Sequence, residues 1–247
     1  MFLLALDTST PAVTAAVCEL GAEEGSGVRT TSPAAPVTVL AAQREVAANR
    51  HGELLAGLMR KVLTDAGVEP SGLAAVAVGL GPGPFTGLRV GVVSAKALGD
   101  ALGVPVYGEC SLRLFAAKPD RPELDVVGVA TDARRRQVYW AVDDGQRCVA
   151  GPEIGTAEQA AAAFVAAGVR QVAGEGPHIY PEQFAGFAVL DDAYPSALTL
   201  AELVAARVRS RAPSEDVVPM YLRRPDAKPP GRPKPVTPPV TQAATPA

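Results

Sequence analysis

The sequence predicts an α/β protein built from two similar halves. Three apolar segments with the length of strands come first, and helices then alternate with further strands. The same order of three strands, a helix and a strand starts again near residue 126. A chain of 247 residues is long enough to bury a substantial core, either as one domain or as two small ones.

The first half divides into five strands and two helices. Its connections are rich in glycine, proline, serine and threonine, most clearly over residues 21–36, where we predict a loose hairpin connection. The predicted strands are Phe2–Leu6, Val13–Leu20, Val37–Val46, Leu73–Gly79 and Val104–Tyr107, and the predicted helices are His51–Ala66 and Leu88–Leu102.

The second half repeats this order with shorter elements. Asp143-Asp-Gly predicts a hairpin turn, and Thr156 and Thr199 each begin a capping box of the form Thr-x-x-Gln/Glu. The predicted strands are Val126–Ala130, Gln137–Val142, Arg147–Ala150, Val169–Ala173 and Phe187–Leu190, and the predicted helices run from Thr156 to Ala167 and from Thr199 to Arg211.

Charge is distributed unevenly along the chain. The formal net charge is −3, but residues 223–247 carry five basic side chains and one acidic one, so the rest of the chain is acidic. An acidic body binds nucleic acid poorly by itself. Residues 225–247 are rich in proline and poor in apolar side chains, which predicts a disordered basic tail.

The chain lacks the features of a membrane or exported protein. No segment approaches the ~20 apolar residues of a bilayer span. The apolar run over the first six residues is too short for a signal peptide, and no basic residues precede it. Cys18, Cys110 and Cys148 show no CxxC spacing, so we interpret them as buried thiols rather than disulfides or zinc ligands. We therefore expect a cytoplasmic protein without membrane contact.

The segment Gly79–Gly91, GLGPGPFTGLRVG, joins a buried strand to a helix. Such a turn can direct backbone N–H groups at an anion, but Pro82 and Pro84 remove two donors and no Gly-Lys-Ser/Thr follows. We interpret it as a rigid turn that directs the helix, with Thr86 as the cap. Arg89 lies in the first helical turn, where the helix dipole disfavours a cation, so it either contacts an anion or is simply exposed.

The two helices of the first half carry apolar residues at helical spacing, with small residues among them on the second. This pattern suits packing on the chain's own sheet, or a seam with the helices of another protein. The candidate partner residues are His51, Leu54, Leu55, Leu58, Val62, Thr86, Arg89, Val92, Ala95, Leu98 and Gly99. On the second interpretation, Leu58→Glu or Ala95→Glu is expected to abolish partner binding while the monomer stays folded.

Few side chains are arranged for catalysis. His51 and His178 lack HxxxH or HExxH spacing and no Ser/His/Asp set can be assigned, so we predict no catalytic residue, metal or cofactor. Asp7, Thr8 and Asp132 follow equivalent strands and are residual candidates for a nucleotide site, although strand-end turns are an alternative. The basic cluster Arg134, Arg135 and Arg136 is either solvated or contacts an anionic partner.

The chain resembles the TsaB (YeaZ) family, the universal bacterial tRNA-modification subunit. The resemblance rests on the segments FLLALDTST, NRHGELL, GLGPGPFTGLRVG, ATDARRRQVYWAV and PMYLR, whose order and spacing fit over about residues 1–224. It implies the two-lobed actin/Hsp70/sugar-kinase-like fold, with a mixed sheet and helices in each lobe. The last helix then returns to the first lobe, so residues 1–108 and 196–224 form one lobe and residues 109–195 the other.

The resemblance also implies a function. Proteins of this family are non-catalytic subunits required for threonylcarbamoyl (t6A) modification of adenosine 37 in tRNAs reading ANN codons. They bind and activate the catalytic subunit TsaD, and the ATPase TsaE joins the pair. The candidate partner residues would then meet TsaD, or a second copy of the chain, in a four-helix seam. Contact with tRNA would be indirect or weak, with a salt-sensitive contribution from the basic tail.

Two other functions remain open from the residues alone. A nucleotide-dependent phosphotransferase of the same fold would use Asp7, Thr8 and Asp132 around Mg-ATP. A glycopeptidase, an old label for relatives, is disfavoured because the chain lacks the metal-binding HxxxH pair that TsaD carries.

Overall fold

The computed structural model describes residues 1–21, 36–115 and 126–223. The predicted tail over residues 225–247 and nearly all of the predicted connection over residues 21–36 therefore lie outside the described residues. Within the described ranges the chain forms two five-stranded mixed sheets with helices, so the predicted α/β class is confirmed.

The first sheet has the strand order β3-β2-β1-β4-β5. Strand β1 runs antiparallel to β2 and parallel to β4, and β3 forms one edge. The strands are β1 Phe2–Asp7, β2 Ala12–Leu20, β3 Val37–Val46, β4 Leu73–Gly79 and β5 Val106–Glu109.

The second sheet repeats this topology, because its order β8-β7-β6-β9-β10 has the same antiparallel and parallel pairs in the same positions. The strands are β6 Val127–Asp132, β7 Gln137–Asp143, β8 Cys148–Thr156, β9 Gln171–Ala173 and β10 Ala188–Val189. The two halves are therefore alike in architecture, as the repeated order of elements predicts.

Helices cover both faces of the first sheet. Helices α1 and α2 pack on one face, around Leu4 and Leu6 of β1, whereas α5 packs on the other, around Leu3 and Ala5. Helix α3 covers the second sheet, where the side chain of Phe164 is fully buried. The helices are α1 His51–Ala66, α2 Phe85–Leu102, α3 Ala157–Ala166, α4 Gly176–Ile179 and α5 Ala197–Arg209.

The starts of the helices confirm one prediction from local sequence and contradict two others. Thr156 and Gln159 form the predicted capping box of α3. The predicted box at Thr199 is wrong, because Ser196 caps α5 and accepts the Thr199 N–H at 3.2 Å. Helix α2 begins at Phe85, three residues before its predicted start. For α5, both Ser196 and Thr199 are residue types that cap helices well, so the sequence pattern alone did not show which of them begins the helix.

Charged side chains connect the two halves where β5 ends. Arg113, in the 3-10 helix Ser111–Phe115, donates from Nε to Asp143 Oδ2 at 2.9 Å, and Asp143 is fully buried at the end of β7. Arg113 Nη1 lies 3.3 Å from Glu109 Oε1, and Arg207 of α5 donates to Glu109 Oε2 at 3.1 Å. A buried carboxylate requires such partners, so this network fixes β5, β7 and α5 relative to one another.

Candidate functional site

A cavity of about 460 Å³ lies between the two halves. Its walls are the turn before α2, the start of α1, the β6–β7 turn and the C-terminal residues 221–223. Among the predicted site residues, the cavity brings together His51, Thr86 and Asp132. Asp7 and Thr8 are buried and do not belong to its lining.

Asp7 and Thr8 are bonded inside the protein. Asp7 Oδ1 accepts the Ser9 N–H at 2.8 Å and the Ser9 hydroxyl at 2.7 Å, while Oδ2 accepts the Ser111 hydroxyl at 2.6 Å. Burial raises the pKa of the Asp7 carboxyl, and the hydrogen bonds from Ser111 and Ser9 oppose that rise. The Thr8 hydroxyl donates to Gly87 O at 2.8 Å. Both side chains therefore point into the protein and form the strand-end turn that the sequence offers as the alternative to a nucleotide site.

The glycines of the segment Gly79–Gly91 make room for the β1–β2 turn. The four glycines at intervals of four residues each lie against that turn, where an added Cβ would collide with it. The atoms met are Asp7 Oδ2 at Gly79, Ser9 O at Gly83, Thr8 O at 2.7 Å from Gly87 and Thr8 Oγ1 at Gly91. The glycine-rich segment is thus a packing element laid over the turn, which leaves no space for a phosphate between them.

Thr86 and Arg89 differ from expectation at the start of α2. Thr86 is exposed and does not cap the helix, which begins one residue earlier after Pro84. The Arg89 guanidinium lies 3.9 Å from the centroid of the Phe85 ring and donates from Nε to the Tyr221 hydroxyl at 3.1 Å. An aromatic face stabilises a cation, so these contacts offset the unfavourable helix dipole without an anion.

His51 links the start of α1 to the same turn. Its Nε2 lies 2.7 Å from Thr10 O, and since a carbonyl only accepts, Nε2 carries the proton and donates. The imidazole is buried and also lines the cavity. His51 is therefore a structural contact between α1 and the β1–β2 turn.

The C-terminal segment 217–223 crosses the border between the halves. Val217 is buried in the core of the first sheet, and Met220 donates its N–H to Leu80 O at 2.7 Å. Leu222 packs against the core of the second half, and Arg223 donates to Ala133 O at 2.8 Å. The pattern PMYLR contributes to the family resemblance, but it does not predict that this segment contacts both halves.

Asp132 lies at the second-half end of the cavity. Its Oδ1 accepts the backbone N–H of Arg134 at 2.8 Å, which holds the turn that presents Arg134, Arg135 and Arg136. All three arginines are exposed and have left-handed φ values of 58°, 54° and 60°. Consecutive non-glycine residues in this region are strained, and the Asp132 carboxylate helps to hold them there.

Glu175 lies beside Asp132, and no motif in the sequence marks it as a site residue. Its Oε2 is buried and has no hydrogen-bond partner within the described residues. Burial, together with the negative charge of Asp132, raises the pKa of the Glu175 carboxyl to about 7. The backbone N–H of Asp132 opposes that rise.

Glu175→Gln is expected to stabilise the protein more at about pH 8 than at about pH 5. The folded-state pKa of about 7 exceeds the ordinary value of 4.5, so the stability present below the ordinary value is lost as pH rises through about 7. Glutamine has no proton to lose and removes this dependence. Urea unfolding at both pH values measures the effect, with the exposed Glu182→Gln as a control. An equal gain at both pH values would contradict the assignment.

Most of the predicted partner residues face the chain's own core. The structure corrects the expectation that they form an outer surface, because α1 and α2 use their apolar stripes to cover the first sheet. The buried ones are His51, Leu55, Leu58, Val62, Val92, Ala95 and Gly99, the half-buried ones are Leu54 and Leu98, and the exposed ones are Thr86 and Arg89.

In the part of the chain that the structure describes, no three His, Cys, Asp or Glu side chains are grouped closely enough to hold a metal ion. No helix of these residues has the length and apolarity required to cross a bilayer.

Comparison with known proteins identifies relatives over most of the chain. Residues 39–227 match the model of the family described as TsaD, tRNA N6-adenosine threonylcarbamoyltransferase. An uncharacterized protein of Mycobacterium bovis is 44% identical over 228 residues, which cover 92% of this chain and 94% of that protein. The tRNA threonylcarbamoyladenosine biosynthesis protein TsaB of Escherichia coli is 30% identical over 142 residues, which cover 57% of this chain and 54% of that protein.

Solved structures show the same architecture. YeaZ from Pseudomonas aeruginosa superposes with a TM-score of 0.68 at 29% identity, covering 90% of this chain and 99% of that one. A second structure from that organism, described as similar to peptidase YeaZ, gives a TM-score of 0.69 at 28% identity with the same coverage. This likeness and the two repeated sheets confirm the predicted actin/Hsp70/sugar-kinase-like fold.

Proposed function

The chain belongs to the family of TsaD, the tRNA N6-adenosine threonylcarbamoyltransferase, in which it is a TsaB/YeaZ-like protein, and from this premise we propose that it is a non-catalytic subunit for t6A modification of adenosine 37. It binds the catalytic subunit TsaD and holds it in working form, and the ATPase TsaE joins the pair.

The closed β1–β2 turn is the observation that carries the proposal. In the kinase-like superfamily, an acid and small hydroxyl residues of this turn face Mg-nucleotide. Here Asp7 is fully buried and bonded to Ser9 and Ser111, and the glycine-rich segment covers the turn. Opening that site would break several buried hydrogen bonds, each worth about 1–3 kcal/mol when a partner is left unsatisfied. This supports a subunit that acts through binding.

We assign the contact with TsaD to the outer surface of α1 and α2, called here the α1–α2 surface. It consists of the exposed small and apolar residues Gly52, Ala56, Gly57, Val93 and Ala97. Val93 is 62% exposed, and nothing lies within 4 Å of a Cβ added at Gly57. Small side chains allow the backbone of another helix to approach closely, which suits a helical partner. A second copy of the chain could cover the same surface in the absence of TsaD.

Reconstitution tests this function. The purified chain and TsaD are expected to co-elute in size-exclusion chromatography, and t6A formation on tRNA by TsaD, TsaE and ATP is expected to require the chain. Failure to form a complex, together with transfer that is independent of the chain, would overturn the proposal. Micromolar binding and turnover of Mg-ATP by the isolated chain would instead favour the phosphotransferase alternative.

A further inference from the structure

The thiols of Cys110 and Cys148 meet at the border between the two halves. Cys110 follows β5 and Cys148 begins β8, so the two are far apart in the sequence and their spacing does not predict that they pair. In the structure their side chains are hydrogen-bonded to each other and pack against the same apolar cluster. Both are partly exposed, whereas Cys18 is buried.

Arg113 holds the two cysteine-bearing segments in place. Its N–H donates to Cys110 O at 3.0 Å, which fixes the turn after β5. Its Nε donates to Asp143 Oδ2 at 2.9 Å, and Asp143 pairs with Cys148 in the β7–β8 ladder. Arg113 therefore connects the two segments, since its backbone N–H binds the turn that carries Cys110 and its guanidinium binds the hairpin that carries Cys148.

We propose that Cys110 and Cys148 form a reversible disulfide by exchange with a small-molecule disulfide of the glutathione class. The bond would connect the turn after β5 to the edge strand of the second sheet, across the apolar cluster on which both cysteines pack. This modification site is independent of the proposed role with TsaD.

The surroundings assign different roles to the two sulfurs. The Cys148 side chain and the backbone N–H groups of Leu112 and Arg113 hydrogen-bond to the Cys110 sulfur, which lowers the pKa of Cys110. The hydrogen bond with Cys110 and burial both raise the pKa of Cys148. Cys110 is thus the attacking thiolate and Cys148 the resolving thiol.

The exchange balances in two steps. The Cys110 thiolate attacks one sulfur of oxidised glutathione, which forms a mixed disulfide and expels one glutathione thiolate. Cys148 then loses its proton and attacks Cys110 Sγ, which breaks the mixed disulfide and expels the second glutathione thiolate. Two protein thiols are oxidised, one glutathione disulfide is reduced to two thiols, and the protons pass to those thiols.

The full chain in glutathione buffers of decreasing reduced-to-oxidised ratio provides the test. After acid quenching and alkylation in denaturant, peptide mass spectrometry is expected to show Cys110 joined to Cys148 within one chain and Cys18 alkylated as a free thiol. Burial raises the pKa of Cys18 to about 12, so in the folded chain it does not exchange with glutathione and serves as an internal reference. Alkylation of both Cys110 and Cys148 across the series, or pairs that include Cys18, would overturn the proposal.

Single variants test the assigned roles. Cys148→Ser is expected to accumulate one glutathione on Cys110, and Cys110→Ser is expected to acquire glutathione on Cys148 at least about tenfold more slowly. Thermal unfolding verifies that each variant is folded. In the unmodified chain, oxidation is expected to raise the unfolding midpoint by about 5–10 °C. Equal rates in the two variants would refute the roles, and an unchanged midpoint would show that no stabilising cross-link has formed and would overturn the proposal.

Discussion

Val93→Glu is expected to weaken binding to TsaD by about 100-fold or more while the monomer remains folded. Val93 lies on the α1–α2 surface and is 62% exposed, so a carboxylate there remains solvated in the free chain. In a helix–helix contact the same carboxylate would be buried without a partner, which costs about 3 kcal/mol or more. Titration calorimetry or surface binding with purified TsaD measures the change.

The second half offers a matched control. Val165 lies in α3 and is 69% exposed, so Val165→Glu makes the same substitution on an exposed helical site outside the α1–α2 surface. It is expected to leave both TsaD binding and the unfolding midpoint unchanged. If Val93→Glu binds TsaD as tightly as the unmodified chain does, the contact lies elsewhere.

The substitutions that the sequence suggested would not make this test. Leu58 and Ala95 are 7% and 0% exposed and belong to the core of the first sheet. A glutamate at either position would be buried within the chain itself, so it would unfold the monomer rather than remove one partner. Loss of binding by Leu58→Glu or Ala95→Glu would therefore say nothing about the contact surface.

This difference shows what the sequence can and cannot predict. Apolar periodicity predicted α1 and the strand β3 with their observed bounds, because the period of a helix or strand is a local property. The same periodicity predicts an apolar stripe on each of α1 and α2, but it does not predict whether the chain's own sheet or a partner protein covers that stripe. The first sheet covers the apolar stripes of α1 and α2, so the proposed partner surface consists of exposed residues that the apolar pattern did not select.

Contacts between distant segments were likewise outside the reach of a single sequence. Asp7 binds Ser111, Arg89 binds Tyr221, and Cys110 meets Cys148 only because of the way the sheets and the C-terminal segment are arranged. Each of these residues has ordinary neighbours in the sequence. Duplication was predictable because the order of elements repeats, whereas pairings of side chains depend on the completed fold.

The largest effect on stability is expected from alanine substitution of a helical glycine, and it should differ between Gly91 and Gly57. Gly91→Ala in α2 is expected to lower the free energy of unfolding by about 2–3 kcal/mol, because the new Cβ collides with Thr8 Oγ1 and breaks the buried hydrogen bond from Thr8 to Gly87. Gly57→Ala in α1 meets no atom within 4 Å and is expected to raise it by about 0.5–1 kcal/mol. Both variants gain the same helix propensity, so their difference isolates the packing.

Thermal and urea unfolding of the two variants without any nucleotide decides between two accounts of the glycine-rich segment. Glycines that cradle a phosphate tolerate alanine in the free protein and lose only the ligand. If the glycines instead leave space for the β1–β2 turn, replacing one by alanine destabilises the protein even without a ligand. For Gly91→Ala the unfolding midpoint is then expected to fall by about 5–10 °C. If Gly91→Ala behaves like Gly57→Ala, the segment does not cover the turn. Asp7 and Thr8 would then become available to a ligand, and the case for a subunit that acts only through binding would fail with it.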